Sequence, residues 1–312
     1  MSQVQIPDYG ASPFRDWLRT PVVSSFIAGG CAGAVSRTVV SPFERMKIIF
    51  QVQNANAKSY DGMWATLMKM WREEGWRGFM RGNGINCVRI VPYSAVQFCT
   101  YTLLKQGISQ DARELTASER LLAGALAGIA SVCATYPMDI VRTRLSIQTA
   151  SIGSLQKENL AKPPGMWATM AQMYKTEGGM VALWRGLIPT TLGVAPYVGI
   201  NFACYEYLRD RLAVDNSKLS SYSTLTAGAV SGAIAQTFTY PFDVLRRRFQ
   251  VESMNHGRLG YQYNSTWGAL KTIVANEGFV GLYRGLGPNL LKVVPAMASS
   301  FWTFESVRRL LA

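Results

Sequence analysis

The sequence predicts an all-α membrane protein with six transmembrane helices. They form three two-helix repeats with pseudo-threefold symmetry, each repeat carrying a short amphipathic helix. Three observations predict this. Only 16% of the 312 residues are charged, below the quarter usual in soluble domains. Several long runs carry no charge at all. One set of motifs returns three times, with a period of about 100 residues.

The charge that is present is unbalanced. Lys and Arg number 32 against 19 Asp and Glu, a net charge of +13 in a chain that is 48% hydrophobic. Such an excess points to an anionic membrane, an anionic substrate, or both. A large soluble helical core would need more charged surface than this chain has. His256 is the single histidine, and Cys31, Cys87, Cys99, Cys133 and Cys204 are scattered with no CxxC pair. A zinc site, a cysteine–histidine catalytic pair and a disulfide framework all lack a basis. No metal, cofactor or nucleic-acid partner is expected, and no nucleophile–base pairing suggests an enzyme. Residues 1–20 read as a short leader without a secretory signal; Asp8 and Asp16 argue against a cleaved transit peptide, so an organelle address would be internal.

A bilayer takes about 20 mainly apolar residues per helix. In order, the candidate spans begin with residues 21–43, interrupted by Arg37, and 91–104. The third and fourth are 121–138 and 187–205; the fifth and sixth are 219–242 and 293–304, with Lys292 just before the last. A charge inside a span is costly and usually faces a bundle interior or a water-filled cavity. The implied repeats are 21–108, 117–212 and 219–312.

The repeats share matched offsets. Ser41-Pro42-Phe43-Glu44-Arg45-Met46-Lys47 returns as Tyr136-Pro137-Met138-Asp139-Ile140-Val141-Arg142 and as Tyr240-Pro241-Phe242-Asp243-Val244-Leu245-Arg246. GxxxG pairs precede each proline (Gly29/Gly33, Gly124/Gly128, Gly228/Gly232), a pattern that lets membrane helices approach closely. Trp64, Trp167 and Trp267 each stand ten residues before Glu74, Glu177 and Glu277, and each of these acids precedes a glycine. Arg81-Gly82, Arg185-Gly186 and Arg284-Gly285 follow, then Pro92, Pro196 and Pro295, each ten residues after the last glycine. Pro42, Pro137 and Pro241 should kink their helices. The acid two residues on and the base five residues on lie near one helix face. Three acids and three bases in apolar surroundings must be paired or hydrated.

The triplicated Pro-x-[Asp/Glu]-x-x-[Lys/Arg], Glu-Gly and aromatic-[Lys/Arg]-Gly motifs resemble the mitochondrial carrier family over essentially the whole chain. Two departures are Met80 in place of the aromatic, and one extra residue between Gly178 and Trp184. The resemblance implies the mitochondrial carrier fold in the inner membrane and alternating-access antiport by a monomer. It also implies a matrix-side gate of Glu44 with Arg142, Asp139 with Arg246 and Asp243 with Lys47. Gln51 and Gln250 resemble that gate's glutamine braces, with Ser146 in the middle place. On the even helices, Tyr205-Glu206-x-x-Arg209 and Phe304-Glu305-x-x-Arg308 resemble the cytoplasmic gate. Tyr101-Thr102-x-x-Lys105 lacks the acid, so Lys105 would meet Glu206, Arg209 would meet Glu305, and Arg308 would be left over. Ordinary surface charges at helix ends are the alternative reading. The Arg-Gly sites at Arg81, Gly82, Arg185, Gly186, Arg284 and Gly285 resemble cardiolipin sites, where amides at helix starts hold lipid phosphate.

Substrate candidates are positions where chemistry breaks the threefold repeat. Three residues before the even-helix prolines lie Arg89, Gly193 and Lys292; one after lie Tyr93, Tyr197 and Ala296; five after lie Gln97, Asn201 and Ser300. Five before the odd-helix prolines lie Arg37, Val132 and Gln236. Arg37, Arg89 and Lys292 are expected to reach one cavity as cations without nearby acids, suited to a multiply charged anion. Gly193-Val194 beside Tyr197 would make a slot for a flat base. Helix packing at Gly193 and snorkelling of Arg89 and Lys292 to a headgroup are the alternatives.

In the family, a glycine and an aliphatic residue at this point resemble the nucleotide-transporting branch. Arg246-Arg247-Arg248 resembles the ADP/ATP signature, but Phe249-Gln250-Val251 departs from it. ATP-magnesium/phosphate carriers share the glycine-aliphatic point but bear calcium-binding domains, for which the leader leaves no room. Val88-Arg89-Ile90-Val91-Pro92-Tyr93 resembles coenzyme A carriers. Over the whole chain the pattern is nearest to the fungal carriers of adenosine 5'-phosphosulfate and its 3'-phosphorylated form. Coenzyme A or another adenine nucleotide is the alternative, and a non-transporting membrane adaptor the remote one.

Overall fold

The structure is a computed structural model. It describes residues 20–53, 62–108, 116–148, 165–212, 221–252 and 265–311, with Ala150, Met254 and Tyr263; residues 1–19 of the expected leader lie outside these. Among the described residues every regular element is helical. The first repeat contains α1 (Pro21–Val52), α2 (Met63–Phe79), α3 (Asn83–Val88) and α4 (Ile90–Ile108). The second contains α5 (Ala117–Ile147), α6 (Met166–Thr176), a 3-10 turn (Gly179–Trp184) and α7 (Leu187–Leu212). The third contains α8 (Ser221–Val251), α9 (Thr266–Glu277), a 3-10 turn (Phe279–Tyr283), α10 (Leu286–Leu291) and α11 (Val293–Leu311).

Three segments, Val23–Val52, Ser118–Ile147 and Gly179–Leu212, are long and apolar enough to cross a membrane by length and composition alone. The α8 segment is as long, but Ser, Thr and Gln dilute its apolar face. Large apolar side chains on these long helices point outward, among them Phe26, Phe98, Ile188, Phe238 and Trp302. An apolar exterior is unfavourable in water and suits helices surrounded by lipid tails. Pro42, Pro137 and Pro241 each sit inside a continuous helix, where each removes one backbone hydrogen bond. Pro92 and Pro295 lack the N–H that would reach Val88 and Leu291, and the helices divide there, at Arg89 and Lys292.

The chain forms two units. In the first, made of Met1–Val40 and Val294–Ala312, Ser36 Oγ donates to the carbonyl of Ala296 at 2.8 Å. The second, Ser41–Val293, packs α4 on α5, α7 on α8, and α5 on both α7 and α8. Its main apolar core lies at the C-terminal ends of α1, α5 and α8, where Ile49, Val52, Ile147, Leu245 and Val251 meet Met70 of α2 and Ile273 of α9.

Three buried guanidinium groups link the repeats of this second unit in a cycle. Arg144, seven residues after Pro137, bonds Glu177 at 2.5 and 2.7 Å and donates through Nε to the Gln250 carbonyl at 3.0 Å. Arg248, seven after Pro241, bonds Glu277 at 2.5 and 2.8 Å and the Gln51 carbonyl at 3.1 Å. In the first repeat the seventh residue is Ile49. Arg45, one helical turn earlier, reaches Glu74 at 2.6 Å and the Ser146 carbonyl at 2.8 Å. Each arginine thus joins the acid of its own repeat to the backbone of the next. Full hydrogen bonding is what makes such buried charges tolerable.

The arginine-glycine turns close the same joints. Gly82, Gly186 and Gly285 have φ of +78°, +85° and +85°. A Cβ on Gly186 would lie 2.8 Å from Tyr136 Oη and 3.0 Å from the Arg246 carbonyl; on Gly285 it would lie 2.9 Å from Tyr240 Oη and 3.0 Å from the Lys47 carbonyl. Gly186→Ala should therefore cost about 1–3 kcal/mol through left-handed strain alone, with steric cost added. Gly199→Ala, in α7 with no neighbour within 4 Å, should be neutral or slightly stabilising. Thermal unfolding of both variants in detergent checks the contrast.

Candidate functional site

The helices of the second unit converge on a ring of ion pairs. Lys47 of α1 bonds Asp243 of α8 at 2.9 Å, Arg246 of α8 bonds Asp139 of α5 at 2.5 Å, and Arg142 of α5 bonds Glu44 of α1. Acid and base are three residues apart and so lie near one face of each helix; where three such faces converge, each acid meets the base of the adjoining helix.

Tyrosines and glutamines support two of the three pairs. Arg246 lies over the Tyr136 ring and Lys47 over the Tyr240 ring, at 5.9 and 5.4 Å from the centroids, a cation–π geometry. Gln250 donates to Tyr136 Oη at 3.2 Å and Asp139 at 2.9 Å, and Gln51 donates to Tyr240 Oη at 3.1 Å. The third pair differs at both places. Ser41 replaces the tyrosine and bonds the Phe79 carbonyl, while Ser146 replaces the glutamine and bonds its own helix at Arg142 O, 2.8 Å away.

Arg89 and Lys292 differ from expectation. Arg89 is bound to Asp139 at 2.6 Å and Thr135 at 3.2 Å, and Lys292 to Glu44 at 3.2 Å, so both cations have acids beside them. A cation in an apolar interior takes the nearest carboxylate, and here the ring supplies it. Arg247, which the sequence reading leaves without a role, also joins Asp139 (3.2 Å), Thr143 (2.5 Å) and Gln250 (2.8 Å). Its only signal was its place in the run Arg246-Arg247-Arg248. Among the described residues six cations thus meet three carboxylates, a surplus of three positive charges.

Beside the ring lies a cavity of about 360 Å³ between α4, α5, α7 and α8. Tyr93, Gln97, Gly193, Val194 and Tyr197 line it, with Asp243 and Arg246 among its walls. Gly193 has a packing role as well, since a Cβ there would sit 3.1 Å from Phe242 Cβ. Arg89, Lys292 and Asn201 are not among the lining residues: the two cations are drawn to Asp139 and Glu44, and Asn201 Oδ1 lies 3.9 Å from where a Cβ on Gly232 would be. Arg37 is half-buried on α1, in the first unit.

Of the expected cytoplasmic set, the pair of Lys105 and Glu206 is not formed. Among the described residues Lys105 and Glu206 enter no ion pair; Arg209 lies 3.5 Å from its neighbour Asp210. Glu305 pairs with Arg309 at 2.5 Å, one turn on, and Arg308 enters no described pair. At the arginine-glycine turns, Arg81 and Arg284 bind Glu74 and Glu277 at 3.1 and 3.0 Å, and Arg185 donates to the Glu177 carbonyl at 3.3 Å.

The Glu44–Arg142 pair alone lacks a glutamine–tyrosine brace. Replacing Ser41 by Tyr and Ser146 by Gln together should add about 1 kcal/mol, the value of one net hydrogen bond. The double variant should melt at a higher temperature in detergent and turn over more slowly when reconstituted in liposomes.

Residues 19–112, 113–216 and 217–312 each match the family model for mitochondrial carrier proteins. An uncharacterised mitochondrial carrier of Saccharomyces cerevisiae is 49% identical over 94% of each chain. A mitochondrial adenine nucleotide transporter of Arabidopsis thaliana is 42% identical over 93% of this chain and 87% of its own. A mitochondrial coenzyme A transporter of Xenopus laevis is 38% identical over 93% of this chain and 86% of its own. This chain belongs to the mitochondrial carrier family, and is a multi-pass transporter of the mitochondrial inner membrane rather than an enzyme.

Proposed function

We propose that this carrier exchanges an adenine-nucleotide-type anion by alternating access. Adenosine 5'-phosphosulfate and its 3'-phosphorylated form are the first candidates, and coenzyme A is the second. The observation that carries the reading is the surplus of three positive charges among the described residues of the ring, which borders the cavity through Asp243 and Arg246. Unbalanced charge within a membrane protein is costly, and an anion with more than one charged group offsets it. The slot of Gly193, Val194 and Tyr197 suits the flat base. The names of two relatives, an adenine nucleotide transporter and a coenzyme A transporter, point to the same chemical class.

The ion-pair ring serves as the matrix-side gate, braced by Gln51 and Gln250. In this reading a closed ring corresponds to the state open toward the cytoplasm. Substrate shifts this state only by binding the two states unequally. Arg89 and Lys292 supply that difference by leaving Asp139 and Glu44 for the anion. Lipid phosphate, with cardiolipin the candidate, sits at the arginine-glycine turns, and the carrier works as a monomer.

Thermal shift with a panel of anions tests this reading, because a ligand that binds the folded state raises the melting temperature by mass action. The panel holds both adenosine phosphosulfates, coenzyme A, ADP, ATP, phosphate, sulfate and a keto acid. A selective rise with the phosphosulfates is expected, and Arg89→Ala should lose it while remaining folded. A rise with coenzyme A alone favours the second candidate. A response to the keto acid alone contradicts the nucleotide reading.

A further inference from the structure

The three carboxylates of the ring share a feature. Each is bonded by the base of a neighbouring helix and also by a second group: Lys292 on Glu44, Arg89 on Asp139, and Gln236 on Asp243. The first two belong to one register, three residues before an even-helix proline. The third member of that register is Gly193, which has no side chain to offer. Gln236, five residues before Pro241 on α8, fills the place from another helix: its Nε2 donates to Asp243 Oδ2 at 3.0 Å. That same oxygen receives Lys47 Nζ at 2.9 Å.

Gln236 also lines the cavity, as does Val132, its counterpart on α5 in the second repeat. Two equivalent positions therefore face one space, one apolar and the other a carboxamide. Gly193, Val194 and Tyr197 bound the same space. A carboxamide offers a donor and an acceptor side by side, the pattern that pairs with the amino group and adjacent ring nitrogen of adenine.

We propose that Gln236 reads the base of the substrate and, in doing so, releases Asp243. When adenine enters the slot, the carboxamide exchanges its bond to the carboxylate for two bonds to the base. Asp243 then keeps Lys47 as its one partner, so the cost of opening that pair depends on what occupies the slot. Base recognition and the hydrogen bonding of the ring are coupled at this residue. The inference rests on the nucleotide reading above.

The test uses full-length purified carrier and two probes, adenosine 3',5'-bisphosphate and its purine analogue lacking the 6-amino group. The bisphosphate is the moiety common to the 3'-phosphorylated phosphosulfate and coenzyme A. Both probes carry the same phosphates, so Arg89 and Lys292 act on them equally. In thermal-shift titrations the wild-type carrier should bind the analogue about tenfold more weakly, within the range of one bidentate base contact. Gln236→Met keeps the length of the side chain without the carboxamide, and should bind the two within about twofold of each other.

A tenfold preference that survives in Gln236→Met overturns the proposal and leaves the nucleotide reading standing, since a clamp on Asp243 alone would not set base preference. Equal binding of the two probes by the wild-type carrier also overturns it, and needs no folded variant. If neither probe shifts the wild-type carrier, the nucleotide reading fails and the role of Gln236 fails with it.

Discussion

Three carboxylates set deep among membrane helices constrain everything around them. Glu44, Asp139 and Asp243 are each bound by a base from the next helix and by a second group, Lys292, Arg89 and Gln236 in turn. Isolated ionised groups in such surroundings would cost several kcal/mol apiece, so removal of any partner is felt by the rest. The approach that lets the bases reach their acids is fixed one layer further on. There Gly82, Gly186 and Gly285 press against carbonyls of the neighbouring repeat, and Arg45, Arg144 and Arg248 stitch the same joints.

The ring is symmetric in topology and unequal in strength. Asp139 receives three arginines and Gln250, whereas Asp243 receives one lysine and Gln236. The Glu44–Arg142 pair lacks both tyrosine and glutamine, and it gains Lys292 and Asn86 instead. In the gate proposed above, the seal must break under a modest input of binding energy. An uneven ring would offer a joint at which opening can begin, and in Arg89 and Lys292 two cations that an anion could draw away.

Much of this was legible in the sequence because the repeat supplies its own registers. Matched offsets around Pro42, Pro137 and Pro241 located the acids, the bases, both glutamines and the serine that replaces the third. What stayed hidden was lateral distance. Register says that Arg89 and Lys292 share a ring, but not that Asp139 and Glu44 lie within reach of them. Asn201 has the right register for the cavity and turns toward Gly232 instead. The linking set of Arg45, Arg144 and Arg248 has no common register, because Arg45 acts from one turn earlier than the other two and breaks the offset that a repeat relies on. Gln236 was visible as a position and carried no role until its bond to Asp243 was seen.

The most direct measurement of the account is a charge swap in the ring, read as nucleotide exchange by carrier reconstituted in liposomes. Lys47→Asp and Asp243→Lys should each abolish exchange, since each places two like charges side by side. The swapped double variant restores an opposite pair and should recover a substantial share of the wild-type rate. Recovery would establish the pair as a working joint that must both form and break. A double variant that folds, as judged by melting in detergent, yet exchanges no faster than the weaker single variant would contradict the central claim.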